Sequence, residues 1–154
     1  MKTFKLAVLF PLLLLLLNNC EKSSANNDGI LQNEWRVQSI QMEKDFIKVP
    51  SDNNLGKNAY VLRFDDNTTF YMPTSVNEAG GKYQILSEGC IIVSDYHEFT
   101  EKSNTIENQE YFDRQLLSVF NGELSYSCTR NNLIFKSKQN AEVVFVKNRN
   151  INTD

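Results

Sequence analysis

The sequence is poor in the residues that most often carry chemistry. Its 154 residues include one histidine, three cysteines, three prolines and six glycines. Structural zinc sites use about four histidine or cysteine ligands at set spacings, and no such spacing is present. Glycine-rich phosphate loops and the nucleophile motifs Gly-x-Ser-x-Gly and Ser-x-x-Lys are also absent. We therefore expect a protein that is not an enzyme and has no cofactor and no metal.

The single histidine, His97, lies in the segment SDYHEFTEK between Asp95 and Glu98. A metal or acid–base site would need partners converging on it that spacing alone does not supply. A pair with Cys90 is a poor alternative, because a thiol inside an apolar strand is normally inert. The sequence predicts an exposed loop histidine.

No apolar run is long enough to span a membrane, which takes roughly 20 residues. The longest run has twelve residues, 6–17, and it follows Lys2 and Lys5. This length and charge are typical of an export signal. Its end, Leu17-Asn18-Asn19-Cys20, resembles the lipobox of bacterial lipoproteins, although Asn19 stands where Gly, Ala or Ser is usual. The resemblance implies a signal peptide at residues 1–19 and acyl chains on Cys20, followed by a polar tether at 20–29.

Clustered positive charge is lacking as well. Of the 16 basic side chains, two leave with the predicted signal, so 14 remain against 19 acidic ones and the net charge is −5. Nucleic acid is excluded as a partner, because its backbone requires clustered Lys and Arg. Residues 30–148 are long enough for one domain with one core, and residues 149–154 form a short tail.

Apolar and polar residues alternate along most of this domain, which is the pattern of half-buried strands. In residues 34–40 the alternation places Trp35, Val37 and Ser39 on one face. Turn-forming residues separate the segments, as in antiparallel sheets. The predicted strands are 34–40, 59–64, 68–72, 82–86, 90–95, 123–128, 132–137 and 141–147, and residues 42–58 form the longest predicted loop. The fold class is mainly β with one helix (α+β), an antiparallel eight-stranded, partly open barrel or sandwich capped by one amphipathic helix.

The helix is predicted from apolar residues that recur every three or four positions in NQEYFDRQLLSVFNG. Its apolar stripe is Phe112, Leu116, Val119 and Phe120. Its predicted solvated face is Glu107, Glu110, Asp113 and Arg114. Asn108 is the predicted cap, and Asn121-Gly122 ends the helix.

Six residues carry a more specific pattern. They form Leu31-x-x-x-Trp35 at the first strand, Asn77-x-x-x-Gly81-x-Tyr83 at the fourth, and Thr100 ahead of the helix. In this order, over residues 31–146, the chain resembles the META domain family, whose bacterial members include heat-inducible outer-envelope lipoproteins of the HslJ type. The resemblance implies an envelope maintenance or stress role without an agreed reaction. From the residues alone, Trp35 is a barrel plug whose indole needs a partner, and Asn77 and Gly80-Gly81 are turn residues.

Two cysteines, Cys90 and Cys128, remain once Cys20 is lipidated, and they face an oxidising compartment. A disulfide between them and two buried thiols are both compatible with the sequence. The family often has Gly-Cys directly before the motif asparagine, where this chain has Ser75-Val76. A disulfide of the family's type is therefore absent.

The expected function follows from location and fold. We expect an outer-membrane lipoprotein, attached to the membrane by its lipid, that acts without catalysis by contacting an envelope protein or other envelope material. The periplasmic and surface faces of the membrane both remain open. The alternative is a lipocalin-like carrier of a small lipophilic ligand, which needs an apolar cavity of about 300 Å³ or more.

Overall fold

A computed structural model describes residues 30–51, 55–65 and 68–149. The predicted signal peptide, Cys20 and the tether lie outside these residues, as does most of the predicted tail. Among the described residues, no helix combines the length and the apolar composition that crossing a bilayer requires. The elements are β1 (Trp35–Gln41), β2 (Phe46–Lys48), β3 (Val61–Phe64), β4 (Thr69–Tyr71), β5 (Ala79–Ser87), β6 (Cys90–Glu98), α1 (Glu107–Val119), β7 (Gly122–Cys128), β8 (Asn132–Ser137) and β9 (Glu142–Lys147).

The strands form an antiparallel barrel in which β1 and β3 to β9 follow one another and β1 closes the ring on β9. The predicted fold class, mainly β with one helix, is confirmed, and the barrel is closed rather than partly open. Closure pairs the backbone groups that an open sheet would leave at its edges. The additional strand β2 pairs with the end of β1, inside the predicted loop 42–58.

The inward face of β1 changes register at a bulge between Val37 and Ser39. Ile40 is fully buried and pairs with Val143, which also faces the core. Ser39 pairs instead with Val144. Ser39 is buried like Trp35 and Val37, at 5% exposure, but the predicted alternation holds only as far as Val37, because a bulge inserts one residue and reverses the alternation beyond it.

The two glycines Gly80 and Gly81 lie inside β5 rather than in a turn before it. Neither has a positive φ. A Cβ at Gly80 would lie 2.5 Å from the Phe70 carbonyl oxygen, and one at Gly81 would lie 2.7 Å from the Ser94 carbonyl oxygen. Close approach of the neighbouring strands, and not a turn, therefore explains both glycines.

Helix α1 connects β6 to β7 and fills one end of the barrel. Its stripe is confirmed, since Phe112, Leu116 and Phe120 are fully buried, while Val119 is half-buried. The ring centroid of Phe120 lies 5.7, 5.9, 5.0 and 5.8 Å from those of Phe70, Tyr96, Phe135 and Phe145. The centre of the barrel is thus packed with aromatic rings of the chain itself.

The start of α1 differs from the prediction. Asn108 is exposed inside the first turn, and the capping residue is Ile106, which makes no side-chain cap bond. Oδ1 of Asn104 instead accepts the Ile106 N–H at 3.0 Å. The asparagine four residues earlier takes the local hydrogen-bonding role expected of Asn108.

Trp35 occupies the opposite end of the barrel and is 1% exposed. Its indole Nε1 donates a 2.9 Å hydrogen bond to the Ile30 carbonyl oxygen. Leu31 is partly buried against the same core. The indole is therefore satisfied within the chain, as a buried tryptophan requires.

Candidate functional site

Asn77 uses the full hydrogen-bonding capacity of its side-chain amide. Nδ2 donates to Oε2 of Glu98 at 3.0 Å and to the Lys102 carbonyl oxygen at 3.1 Å. Oδ1 accepts from Oγ1 of Thr100 and from the Lys102 N–H, both at 2.8 Å. The residue is 6% exposed. Asn77 therefore ties the loop before β5 to the segment that follows β6.

Further bonds join the same two segments. Thr74 Oγ1 donates to Oε1 of Glu98 at 2.6 Å, and Thr100 Oγ1 accepts the Glu78 N–H at 3.1 Å. We call Thr74, Asn77, Glu98, Thr100 and Lys102 the Asn77 clamp. The side chains of Thr74, Asn77, Glu98 and Thr100 are bonded within the chain, and Lys102 takes part through its backbone, which makes the clamp a structural unit.

Asp113 is buried, so its predicted place on the solvated face of the helix is wrong. Its side chain accepts hydrogen bonds from the Tyr60 hydroxyl at 2.8 Å, the Ser75 N–H at 3.2 Å, the Ser75 hydroxyl, and Nδ2 of Asn104 at 3.3 Å. The residue is 5% exposed. Four donors from three segments offset the desolvation of the carboxylate.

The rest of the predicted solvated face is confirmed. Glu107, Glu110 and Arg114 are exposed, and Arg114 Nη1 lies 3.4 Å from Oε1 of Glu110. Asp113 follows Phe112 directly and thus borders the buried stripe. A helical wheel places it at that border, but its burial depends on Tyr60 and Ser75, which are distant in sequence.

Two buried tyrosines are held neutral by their surroundings. Burial raises the pKa of Tyr60, and the Asp113 carboxylate raises it further. Burial also raises the pKa of Tyr96, whose hydroxyl donates to the Met72 carbonyl oxygen at 3.0 Å. Both phenols act as structural donors and are poor acid–base groups near neutral pH.

A groove of about 490 Å³ lies on the outer face of β4, β5 and β6. We call it the outer groove. Its lining includes Asp65, Tyr71, Lys82, Asp95, His97 and Phe99. Phe99 is 56% exposed there, which is unusual for so large an apolar side chain. No sequence pattern indicates this groove, because residues from three separate strands line it.

His97 is exposed, as predicted, but it lies in β6 and not in a loop. Strand β6 continues past Asp95, which has a φ of +57°. The register between β5 and β6 shifts there, between the pairs Gly80–His97 and Lys82–Ser94. Nδ1 of His97 contacts the Asp95 carbonyl oxygen. Within residues 30–51, 55–65 and 68–149, no three His, Cys, Asp or Glu residues are grouped so as to hold a metal.

Both Cys90 and Cys128 are free thiols. Cys90 pairs with Ser125, so Cys128 lies three residues further along β7, roughly 10 Å at strand spacing. Cys90 Sγ lies 3.9 Å from Oε1 of the exposed Glu123, whereas Cys128 packs on the core and burial raises the pKa of its thiol. The register therefore excludes a bond between them in this fold, since a disulfide needs Cα atoms within about 7 Å.

The six motif residues do not converge on one site. Leu31 and Trp35 lie at one end of the barrel, and Asn77 and Thr100 lie at the end occupied by α1. Gly81 and Tyr83 lie along β5 between them, with the Tyr83 ring 4.7 Å from that of Phe64. Asn77 and Thr100 are joined by a hydrogen bond between their side chains, and Leu31 and Tyr83 line one pocket.

Comparison with known proteins defines the fold but nothing finer. No family model matches the chain, and no curated protein does. A similar solved structure is the NMR structure of a protein from Burkholderia xenovorans, with a TM-score of 0.60 and 12% identity. The similarity covers 77% of this chain and 84% of that one. At this identity the likeness shows a shared fold alone.

Proposed function

We propose that this protein is a lipid-anchored, non-catalytic domain of the bacterial cell envelope that acts through its outer surface. In this proposal the leader is removed and Cys20 carries the acyl chains. The domain then serves envelope maintenance or the stress response by contacting an envelope protein or other envelope material. Two or more acyl chains hold a protein firmly on a membrane.

The proposal that the protein acts through its outer surface rests on the filled interior of the barrel. Phe120 is 0% exposed, and its ring centroid is 5.0 Å from that of Phe135 on β8. A lipocalin-like carrier shares the barrel architecture but keeps its ligand where these rings lie. Because these rings fill the centre of the barrel, packing there favours the surface over the interior as the binding region.

Membership of the META domain family is part of the same proposal. The hydrogen bond between Asn77 and Thr100 supports it, since two motif positions 23 residues apart in sequence prove to be in contact. The motif residues Asn77 and Thr100 thus stabilise the fold, in keeping with a role that involves no reaction.

Titration with a fluorescent fatty acid, cis-parinaric acid, distinguishes the surface role from the carrier role. We expect no saturable binding by the wild-type protein. Phe120→Ala and Leu116→Ala are positive controls, because each removes a large buried side chain and leaves an apolar cavity. Stoichiometric binding by the wild type that either substitution alters would establish the carrier instead.

A further inference from the structure

We propose that the outer groove binds a neutral saccharide, one ring of which stacks on Phe99 while its hydroxyls bond to Asp65, Lys82 and Asp95. Nothing in the proposed function specifies this site or this ligand. The inference rests on the proposed function only in placing the activity on the outer surface, and it does not depend on the anchor.

Phe99 is held in place although its ring is exposed. Its N–H donates to the Glu78 carbonyl oxygen at 2.7 Å. Its two neighbours, Glu98 and Thr100, are both members of the Asn77 clamp. The ring therefore has a fixed backbone on either side, so that little conformational entropy is lost when a ligand covers it.

The surface under Phe99 is shaped to receive its ring. A Cβ at Gly80 would lie 3.2 Å from the Phe99 ring, so the absence of a side chain lets the ring approach the strand. His97 supports the ring from the side, with centroids 5.0 Å apart and planes at 84°. Gly80 pairs with Tyr71 on one side and with His97 on the other. The side chains of Tyr71, Phe99 and His97 thus form one aromatic row across β4, β5 and β6, with Phe99 over Gly80.

The rim of the groove is polar. Lys82 Nζ lies 3.3 Å from Oδ2 of Asp95, and both side chains are more than half exposed. Asp65 is also exposed at the groove. An exposed ion pair contributes little by itself, so its groups can exchange water for ligand hydroxyls at small cost. Carboxylates accept hydrogen bonds from hydroxyls, and the ammonium group donates to them.

Charge and polarity together select the ligand class. Two carboxylates and one ammonium line the groove, and the Arg63 guanidinium over the Tyr71 ring is paired with Glu34 at 3.6 Å. This balance disfavours an anionic ligand such as a phosphate. A wholly apolar ligand would desolvate those carboxylates without pairing them. A pyranose ring has an apolar face for the aromatic row and hydroxyls at its edge for the rim. The groove, about 490 Å³, is within the usual size of small-molecule sites.

The test uses the full chain in a detergent without a sugar headgroup. A panel of neutral oligosaccharides, including chitotetraose, maltotetraose and cellotetraose, is titrated at millimolar concentration while amide NMR shifts are recorded. We expect saturable shifts, for at least one saccharide, at Lys82, Asp95 and Phe99. Phe99→Ala should weaken binding by about tenfold or more. Phe46→Ala is the matched control, because Phe46 is 59% exposed on β2, and it should leave binding unchanged.

Three results would overturn the site. They are no shift with any saccharide of the panel, shifts on another face of the barrel, or equal affinity in Phe99→Ala with its fold verified by circular dichroism. Failure here is distinguishable from failure of the proposed function. Saccharide binding by a protein whose Cys20 is unmodified in its own cells would support the groove and contradict the lipid anchor. A lipidated protein that binds no saccharide would support the anchor and contradict the groove.

Discussion

Oγ1 of Thr100 donates a 2.8 Å hydrogen bond to Oδ1 of Asn77, and this bond joins the chain entering β5 to the chain leaving β6. Asn77 is 6% exposed, so water cannot replace a lost partner there. The Asn77 clamp therefore depends on an amide, with two donors and two acceptor sites, at this one position.

Asn77→Asp should destabilise the protein by about 3 kcal/mol. The substitution replaces the donor Nδ2 by a carboxylate oxygen that faces Oε2 of Glu98 at about the present 3.0 Å. Two like charges at that separation repel, and the Lys102 carbonyl loses its donor. Urea denaturation measures the change in the free energy of unfolding.

The matched control is Asn108→Asp, the same chemical change at an exposed position in the first turn of α1. An acidic residue near a helix N-terminus is neutral or slightly favourable, so the change should stay within about 0.5 kcal/mol. Equal effects of the two substitutions would show that the clamp does not stabilise the fold.

Asp113→Asn should destabilise by about 1 to 3 kcal/mol. Every partner of this carboxylate is a donor, and an amide would turn its own N–H groups towards one or more of them. Glu110→Gln on the same helix loses only an exposed pair and should cost less than about 0.5 kcal/mol. A loss for Asp113→Asn as small as that of the control would mean that the carboxylate is solvated.

The periodicity and composition of the sequence predict most strands and the helix well. They do not predict contacts between distant segments. Within the described part of the chain, alternation located eight of the nine strands and their tight turns, while β2 was missed because it has three residues and pairs with the end of β1. The predicted alternation failed beyond Val37 because a bulge leaves no mark in the sequence pattern. Gly80 and Gly81 were interpreted as turn residues because composition does not reveal how closely neighbouring strands approach.

Alkaline pH should destabilise the protein through Tyr60 and Tyr96. Their pKa values are raised above the ordinary 10.0 by burial and then by the Asp113 charge. The stability they contribute is complete below about pH 10 and falls above it, because the unfolded phenols lose protons first, by about 1.4 kcal/mol per pH unit for each phenol.

Denaturation curves between about pH 9 and pH 11 test this dependence. Tyr60→Phe removes one of the two phenols and should flatten the decline. Tyr111→Phe, which removes a more exposed hydroxyl from α1, should keep the wild-type slope. An identical slope in the wild type and in Tyr60→Phe would contradict the raised pKa of Tyr60.

Trp35→Ala should destabilise by about 3 to 5 kcal/mol, as large aromatic truncations in a core do. The indole is 1% exposed, and its loss also frees the Ile30 carbonyl oxygen. Trp35→Phe keeps most of the buried area and should cost less. An unchanged melting curve for Trp35→Ala would show that the tryptophan is solvent-accessible and hence a surface contact residue.

The candidate sites were less predictable than the fold, for a physical reason. Asn77 and Thr100 were identified separately through a family resemblance, but their contact requires the paired strands β5 and β6. Alternation of apolar and polar residues does not identify Phe99, because its ring stays exposed after the end of β6. What distinguishes Phe99 is that its two neighbours, Glu98 and Thr100, are held by the Asn77 clamp. Burial of Asp113 depends on Tyr60 and Ser75, which no local pattern connects to the helix.

We propose that a barrel filled by its own side chains is fastened to the envelope by lipid on Cys20. Intact-mass measurement of the protein, extracted from the membranes of its own cells, detects this lipid. We predict a chain that begins at Cys20 and carries acyl chains, and that Cys20→Ser moves the protein to the soluble fraction. A full-length mass beginning at Met1, or a mature chain without acyl groups, would contradict it.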